Sequence, residues 1–353
     1  MSNDQTSSLQ KSILNAIDNV TPLYIQGLDS KRFYGRKPQG DLLSLREHKG
    51  IISYEPSELV ITARSGTPLT EIIEVLDEHN QILAFEPPLF NGTGTIGGAI
   101  ASGLSGPRRP YTGAARDFVL GIKCLNGKAE FLNFGGQVMK NVAGYDVSRL
   151  MCGALGTLGV LLEVSLKVLP KPEHELTLMR ECNQEEALSL IEHLSGKNVP
   201  LSAASHYDKQ LYLRLSGTET GVTSACADID GDELQQADSF WTSLRDQTHS
   251  FFNEASPLWR LSLPPATPTL KLNGDIFTDW GGAQRWLKSD DSADIIRQIC
   301  EAHDGHASLF RHDNHESEVF HPLSPGVAHL HHQLKQAFDP HAVFNPQRML
   351  AEW

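Results

Sequence analysis

What this chain lacks excludes several classes of protein. None of its apolar runs approaches the ~20 residues that cross a bilayer as a helix. Its opening, MSNDQTSS, has neither the basic residues nor the apolar stretch of a secretory signal. The expected location is therefore the cytoplasm, at most peripheral at the inner face of the membrane and held there through a partner. Only 5 cysteines occur among 353 residues (Cys124, Cys152, Cys182, Cys226, Cys300), and none forms a C-x-x-C pair. That excludes a disulfide framework and leaves no zinc or iron–sulfur motif, so no metal site is expected. If the chain handles electrons, it passes them to a cluster that is not its own. Lysine and arginine number 30 against 43 acids, a net charge of −13 that repels nucleic acid. Arg108, Arg109 and Arg116 form the one basic concentration near the glycine-rich segment described next.

Glycine is what the chain has in patterned abundance. NGTGTIGGAIASGLSGPRRP (91–110) is followed by GGQVMKNVAGYDVSRLMCGALGTLGV (135–160). Residues without a Cβ let backbone approach a ligand closely, and successive N–H groups in such turns converge on anions. Beside small residues such as Ala99, Ala101 and Ser102, this pattern points to a long cofactor with a diphosphate, held largely by backbone. Two other readings stand beside it. Gly92-x-Gly94-x-x-Gly97 fits the dinucleotide fingerprint, and Asp117 falls where a ribose-binding acid belongs. However, Pro87 and Pro88 precede the motif where a buried strand is required, and SGPRRP (105–110) breaks the path to Asp117. The third reading is turns with no ligand at all.

The length predicts two domains. Leu9, Ile13, Leu14, Ile17 and Val20 predict an opening helix, and 23–26 a short strand running into the loop 27–31. A strand over 59–63 precedes a helix with Thr67 as N-cap and Pro68 at its first position. Strands 118–125 and 129–134 flank Asn126-Gly127 as a hairpin. Alternation over 160–168 predicts a half-buried strand, and Pro170 and Pro172 mark the boundary. Beyond it come a strand at 176–180, a helix capped by Asn183 and Glu186, and a hairpin of 202–207 with 211–215. A helix over 233–251, strands 259–263 and 274–279, a helix 292–303, a strand 307–311 and a last helix 327–338 complete the reading. The second part is thus an antiparallel sheet with helices on one face.

Taken together, YIQGLDSKRFYG (24–35), EPSELVITARSG (55–66), IGGAIASGLSGPRRPYTG (96–113), GGQVMKNVAGYDVSRL (135–150), GTLGVLLEVSLKVLP (156–170), DWGGAQRW (279–286) and GHASLFR (305–311) resemble FAD-binding subunits of the vanillyl-alcohol-oxidase, or PCMH-type, flavoprotein superfamily, of the bacterial glycolate oxidase kind. The resemblance implies an α+β fold: a two-lobed FAD-binding domain (1–172), a ferredoxin-like cap (173–335), and a C-terminal segment (336–353) returning to the first domain. It implies that Gly27, Leu28, Asp29, Ser30 and Lys31 form a first diphosphate loop, and Gly97, Gly98, Ala101, Ser102 and Gly103 a second, with Arg109 nearby. Val142 and Gly144 would follow the ribityl–adenosine path, and Gly156 to Val160 would close over the nucleotide end. Relatives that attach flavin covalently carry a histidine in the first loop, which this chain does not, so the implied FAD is non-covalent. Asp29 would repel a diphosphate unless it turns away or caps an N–H.

Oxidising a 2-hydroxy acid needs a cation for the carboxylate and a base for the hydroxyl proton. Catalytic relatives place a histidine-rich signature where this chain has GHASLFR, leaving His306, Arg260 and Arg311 as candidates. His312, His315, His321, His329, His331 and His332 read as surface histidines because their spacing is irregular. Three hypotheses remain open. The chain oxidises glycolate or a similar acid itself; or it is a flavin-bearing subunit docking a catalytic flavoprotein sister and an iron–sulfur subunit; or it is a scaffold that has lost FAD.

Overall fold

The computed structural model describes residues 4–90, 92–136, 146–253, 257–312 and 318–353. Helix α1 (Thr6–Asp18) leads into β1 (Leu23–Gln26) and β2 (Asp41–Ser44), which pair in parallel. Strands β3 (Ile51–Glu55) and β4 (Val60–Arg64) precede α2 (Leu69–Asp77) and the short β5 (Gln81–Ile82). Helix α3 (Ile96–Ser102) and two single turns, α4 (Arg109–Thr112) and α5 (Ala115–Phe118), follow. The first part closes with β6 (Val119–Leu125), β7 (Phe131–Gly135), α6 (Val147–Leu150), β8 (Val160–Lys167) and β9 (Leu169–Pro170).

These strands build a five-stranded sheet in the order β3-β4-β8-β6-β7. Its central strand β8 is buried on both faces, not on one as its alternation predicts. Val164 and Leu166 pack with Leu69 and Ile72 of α2 and Ile100 of α3, whereas Val160 and Leu162 pack with Leu9 and Ile13 of α1. Thr67 does not cap α2; its hydroxyl accepts from the Gly50 amide at 2.9 Å and donates to the Arg64 carbonyl at 2.6 Å. The β6–β7 hairpin forms around Asn126-Gly127, but the loop runs from 126 to 130. The Asn126 carboxamide accepts from the Lys128 and Glu130 amides and so stands in for a tight turn.

The second part begins with β10 (His174–Glu181), α7 (Gln184–Ser195), β11 (Leu201–Tyr207), β12 (Gln210–Gly217), α8 (Glu219–Ala227) and β13 (Asp232–Glu233). After α9 (Ala237–Arg245) come β14 (Leu258–Ser262), β15 (Asp275–Asp279), β16 (Gln284–Lys288), α10 (Ala293–Glu301), β17 (His306–Arg311) and α11 (Pro325–Phe338). Their sheet has eight strands in the order β13-β10-β12-β11-β15-β16-β14-β17. The run β10-α7-β11-β12-α8-β13 is a ferredoxin-like βαββαβ unit, and β14 to β17 repeat its strand order in mirror sequence with α10 alone. The two units join edge to edge through β11 and β15.

Both halves of the capping box at α7 are present, Asn183 accepting from the Glu186 amide and Glu186 from the Asn183 amide. The β11–β12 hairpin turns on Asp208 and Lys209, both left-handed, as a two-residue turn requires. The long helix expected over 233–251 is broken. Asp232 and Glu233 pair with β10, Gln236 takes φ +60°, and the helix ends at Arg245 before Gln247 at φ +55°.

One face of the eight-stranded sheet is covered by α7, α8 and α10. The other packs Phe277, Trp286 and Phe310 against Tyr34, Phe90 and Leu104 of the first part. A buried charge network crosses the same junction. Glu86 accepts from Arg214 at 2.8 Å and from the Arg108 backbone amide at 2.8 Å, and Arg108 reaches Glu175 at 2.6 Å. The C-terminal segment then returns to the first part: Leu23 donates to the Val343 carbonyl at 2.7 Å, and Asn345 to that of Leu23 at 2.9 Å.

Candidate functional site

Two cavities gather most of the candidate residues. The first is lined by 26–32 on one side and by Thr95, Gly98, Ala101 and Ser102 on the other. The loop and α3, 60 or more residues apart in sequence, thus face one space.

The loop leaves β1 and is turned by Asp29 at φ +63°. Carbonyls at its end and just beyond are occupied: Arg348 donates to those of Arg32 at 3.0 Å, Lys31 at 3.3 Å, and Arg36. Its amides are not. Among the described residues, no protein acceptor takes the amide hydrogens of Gly27, Leu28, Asp29, Ser30 or Lys31. A run of unclaimed N–H groups turned by one left-handed residue is an anion-binding nest. Asp29 does not oppose it, because its carboxylate accepts from the Tyr24 hydroxyl and pairs with Arg32 at 3.3 Å.

Lys31 adds the charge. Burial pushes its ammonium down to about 8, and its protein contacts are the Ser30 hydroxyl at 3.4 Å and the Phe90 ring at 5.5 Å. Among the described residues no carboxylate lies within ion-pair distance of it. A partly desolvated cation opposed only in part by Asp246, which lies beyond ion-pair distance, and set beside free amides is arranged for an anion from outside the chain.

The second glycine segment contributes differently from the sequence expectation. The amides at the start of α3 are already used: Ile96 donates to Thr67, Gly97 to Ser65, Gly98 to the Thr95 hydroxyl at 3.1 Å and Ala99 to Thr95. What this side offers is small size. A Cβ on Gly98 would meet only Thr95 at 3.2 Å, whereas one on Gly27 would lie 2.6 Å from the Thr95 hydroxyl. The groove narrows there to the point where backbone alone fits.

The structure does not bring every candidate to this cavity. Gly97 is small because α3 packs on Ser65, 2.5 Å from where a Cβ would stand. Gly103 is the left-handed C-cap of α3. Gly156, at φ +73°, abuts Asn345, and Val160 is buried core in β8. Val142 and Gly144 lie outside the described residues. Sequence reading missed Thr95, Leu155, Asn345 and Arg348. Asn345 accepts from the Ile25 amide at 2.8 Å and donates to the Leu155 carbonyl at 2.6 Å, pinning both walls. The stretch FDPHAVFNPQRM, with its Asn345-Pro346 turn, was the available signal.

Arg109 lines the second, larger cavity with Arg260, Trp280, Ser262, Ser308 and His306. The guanidinium groups of Arg109 and Arg260 lie 4.3 and 5.0 Å from the Trp280 ring. Among the described residues neither has a carboxylate within ion-pair distance. Trp280 is held by three consecutive left-handed residues, 280–282, and by its indole N–H on the Gly106 carbonyl at 2.9 Å. His306 sits at the cavity mouth. Desolvation, then the neighbouring Arg260 and His321, lower its pKa and keep it neutral near pH 7. Arg311 goes elsewhere, to Gln247 at 2.8 Å and over the Phe33 ring.

The dinucleotide fingerprint is not built: no strand runs directly into Gly92, since the one before it, β5, ends at Ile82, and Asp117 is exposed and accepts from the Ala114 amide at 2.9 Å. Among the described residues no group of His, Cys, Asp and Glu is placed to hold a metal ion.

Residues 4–135 match the FAD-binding domain family. The chain is 46% identical over 349 residues to glycolate oxidase subunit GlcE of Escherichia coli, covering 99% of this chain and 98% of that one. It is 28% identical over 176 residues to glycolate oxidase subunit GlcD of Bacillus subtilis, covering 49% of this chain and 37% of the relative. Crystal structures of alkyldihydroxyacetonephosphate synthase superpose with a TM-score of 0.67 over 97% of this chain and 75% of theirs, at 13% identity, which shows a shared fold. The chain therefore belongs to the family of glycolate oxidase subunit GlcE, oxidoreductases built on an FAD-binding domain.

Proposed function

We propose that this chain is the FAD-carrying subunit of a glycolate-oxidising complex and holds the flavin nucleotide non-covalently. The observation that carries the reading is the first cavity, where unclaimed amides of 27–31 and the only partly compensated Lys31 face the small residues of α3. That donor set fits a diphosphate, with Gly98, Ala101 and Ser102 giving the clearance a flat or extended nucleotide needs. FAD, when bound, supplies the acceptor for two electrons from the substrate carbon.

The second cavity is the proposed substrate site. Arg109 and Arg260 bind the carboxylate, Trp280 holds both guanidinium groups in place, and neutral His306 accepts the hydroxyl proton. We divide the chain accordingly into a FAD-binding domain (1–172), a cap (173–335) and a returning C-terminal segment (336–353). Asn345 and Arg348, which reach back to the first loop, support the last of these.

Among the described residues there is no cluster ligand set, so we assign electron exit to a partner, a flavoprotein sister together with an iron–sulfur subunit. Among the described residues no helix is long and apolar enough to cross a membrane, and we assign any membrane contact to those partners. A second reading, a flavin-bearing docking subunit without turnover of its own, is favoured by one feature: among the described residues His306 has no carboxylate or second ring locked to it as a base–orienter pair, the His321 ring standing 6.2 Å away. Anaerobic glycolate added to the purified, yellow chain separates the two. Bleaching of the bound flavin supports turnover, unchanged colour supports docking, and a chain that takes up no FAD overturns both.

A further inference from the structure

The anion site is framed by a second set of buried groups that the reading above does not use. Asp279 and Gln284 face each other across the β15–β16 pair, joined by the left-handed turn that carries Trp280. Both are buried, at 5% and 2% exposure. Asp279 accepts from the Ser205 hydroxyl at 2.8 Å with one oxygen and from the Gln284 amide nitrogen at 3.3 Å with the other. The Gln284 carbonyl oxygen accepts from Arg260 Nε at 2.6 Å.

The order of these bonds is directional. An ionised carboxylate only accepts, so it takes the NH₂ end of Gln284 and turns the carbonyl end toward Arg260. With Nε engaged, the guanidinium plane is fixed and its two terminal nitrogens are left as a fork, the geometry that suits a carboxylate.

We propose that Gln284 and Asp279 are positioning residues for Arg260, Asp279 acting through Gln284, and that they orient the guanidinium for a small carboxylate. The inference rests on the reading of Arg109, Trp280 and Arg260 as the anion site. The relay also titrates. Burial, with a smaller contribution from Glu86, pushes the Asp279 carboxyl up to about 6 against the opposing bonds from Ser205, the Trp280 backbone amide and Gln284. Tyr111 faces it from α4, and Arg260 and Arg245 line the small cavity beside it. Once protonated, Asp279 no longer fixes the amide, and the fork loosens.

The test is calorimetric binding of oxalate, a two-carbon carboxylate with no oxidisable hydrogen, to the FAD-loaded full chain. Arg260→Met is expected to lose roughly a hundredfold in affinity and Gln284→Leu roughly tenfold, from one lost hydrogen bond to a charged group. His306 also gains charge on acidification and does so in both proteins, so the Asp279 effect is read as a difference: as the pH drops from about 7 to 5, wild-type affinity falls relative to that of Gln284→Leu. Should Gln284→Leu fail to fold, Gln284→Glu, which sets a carboxylate against Arg260 at the same size, is expected to lose as much as Arg260→Met. If Arg260→Met binds oxalate as the wild type does, the anion-site reading itself falls, and this inference with it. If Arg260→Met is weakened but the Gln284 variants keep both affinity and pH profile, the positioning role alone is overturned.

Discussion

Replacing Lys31 by methionine separates what the first loop costs from what it does. The Lys31 ammonium, ordinarily at 10.5, is pushed down to about 8 by burial, with Asp246 opposing the shift only in part. A displacement of that size corresponds to about 3 kcal/mol set against the charged form, which solvent screening and loop relaxation reduce to about 2 kcal/mol. The folded-state pKa lies below the unfolded one, so the unfolded chain binds more protons between about pH 8 and 10.5. The stability of the flavin-free protein therefore rises with pH through that window and carries the full penalty below it. Methionine keeps the stem against Phe90 and removes the charge, so Lys31→Met is expected to stabilise the flavin-free protein by about 1–2 kcal/mol at pH 7. The same change removes a charge-assisted contact to the diphosphate worth about 3 kcal/mol, or roughly a hundredfold in affinity. Thermal unfolding of the flavin-free chain, paired with titration of FAD by fluorescence quenching, reads both numbers. A variant that is less stable without flavin and binds FAD as tightly as the wild type refutes the reasoning, because Lys31 is then a packing residue.

Three further outcomes follow from individual contacts. Gly27→Ala places a Cβ 2.6 Å from the Thr95 hydroxyl that accepts from the Gly98 amide, so it is expected to loosen the α3 cap and weaken FAD at least tenfold, read as flavin content after gel filtration. Glu86→Ala leaves Arg108 and Arg214 buried with Glu175 as their remaining shared carboxylate and is expected to destabilise by roughly 2–3 kcal/mol in denaturant unfolding, whereas an exposed-pair change such as Asp77→Ala costs less than about 1 kcal/mol. Burial lowers the pKa of His48, His206 and His249 in the fold, so the unfolded state binds more protons, and stability is expected to fall as the pH drops below 6.5; His48→Gln, whose ring bonds the Gln5 amide and the Leu162 carbonyl, reduces that slope.

Local chemistry was legible in the sequence wherever the determining groups are close neighbours. The Asn183–Glu186 capping box, the pairing of 202–207 with 211–215 and the amphipathic α1 depend on contacts between near neighbours, although Val20 falls outside the helix at φ +52°. The glycine clusters marked the right region but not the right division of labour. That the α3 amides are spent on Thr67, Ser65 and Thr95 depends on residues up to 32 positions away, so the free donors moved to the first loop. Strand β16 escaped notice because QRWLK looks half solvated. Arg285 is fully buried in it, its two terminal guanidinium nitrogens bonded to the Thr267 and Pro268 carbonyls while Nε has no partner among the described residues, an arrangement that no pattern of polarity announces. Asn345 and Arg348 are bonded to residues more than 300 positions earlier, and Arg109 acquired its role only when the cap brought Trp280 onto it.

The central claim is that a flavin diphosphate sits on the backbone of the first loop. A crystal structure of the FAD-loaded protein measures it directly. The expected result is diphosphate oxygens within hydrogen-bonding distance of the amides of 27–31 and of the Lys31 ammonium, with α3 contributing only close, side-chain-poor contacts. A diphosphate seated on the first-turn amides of α3, or far from Lys31, would contradict the account.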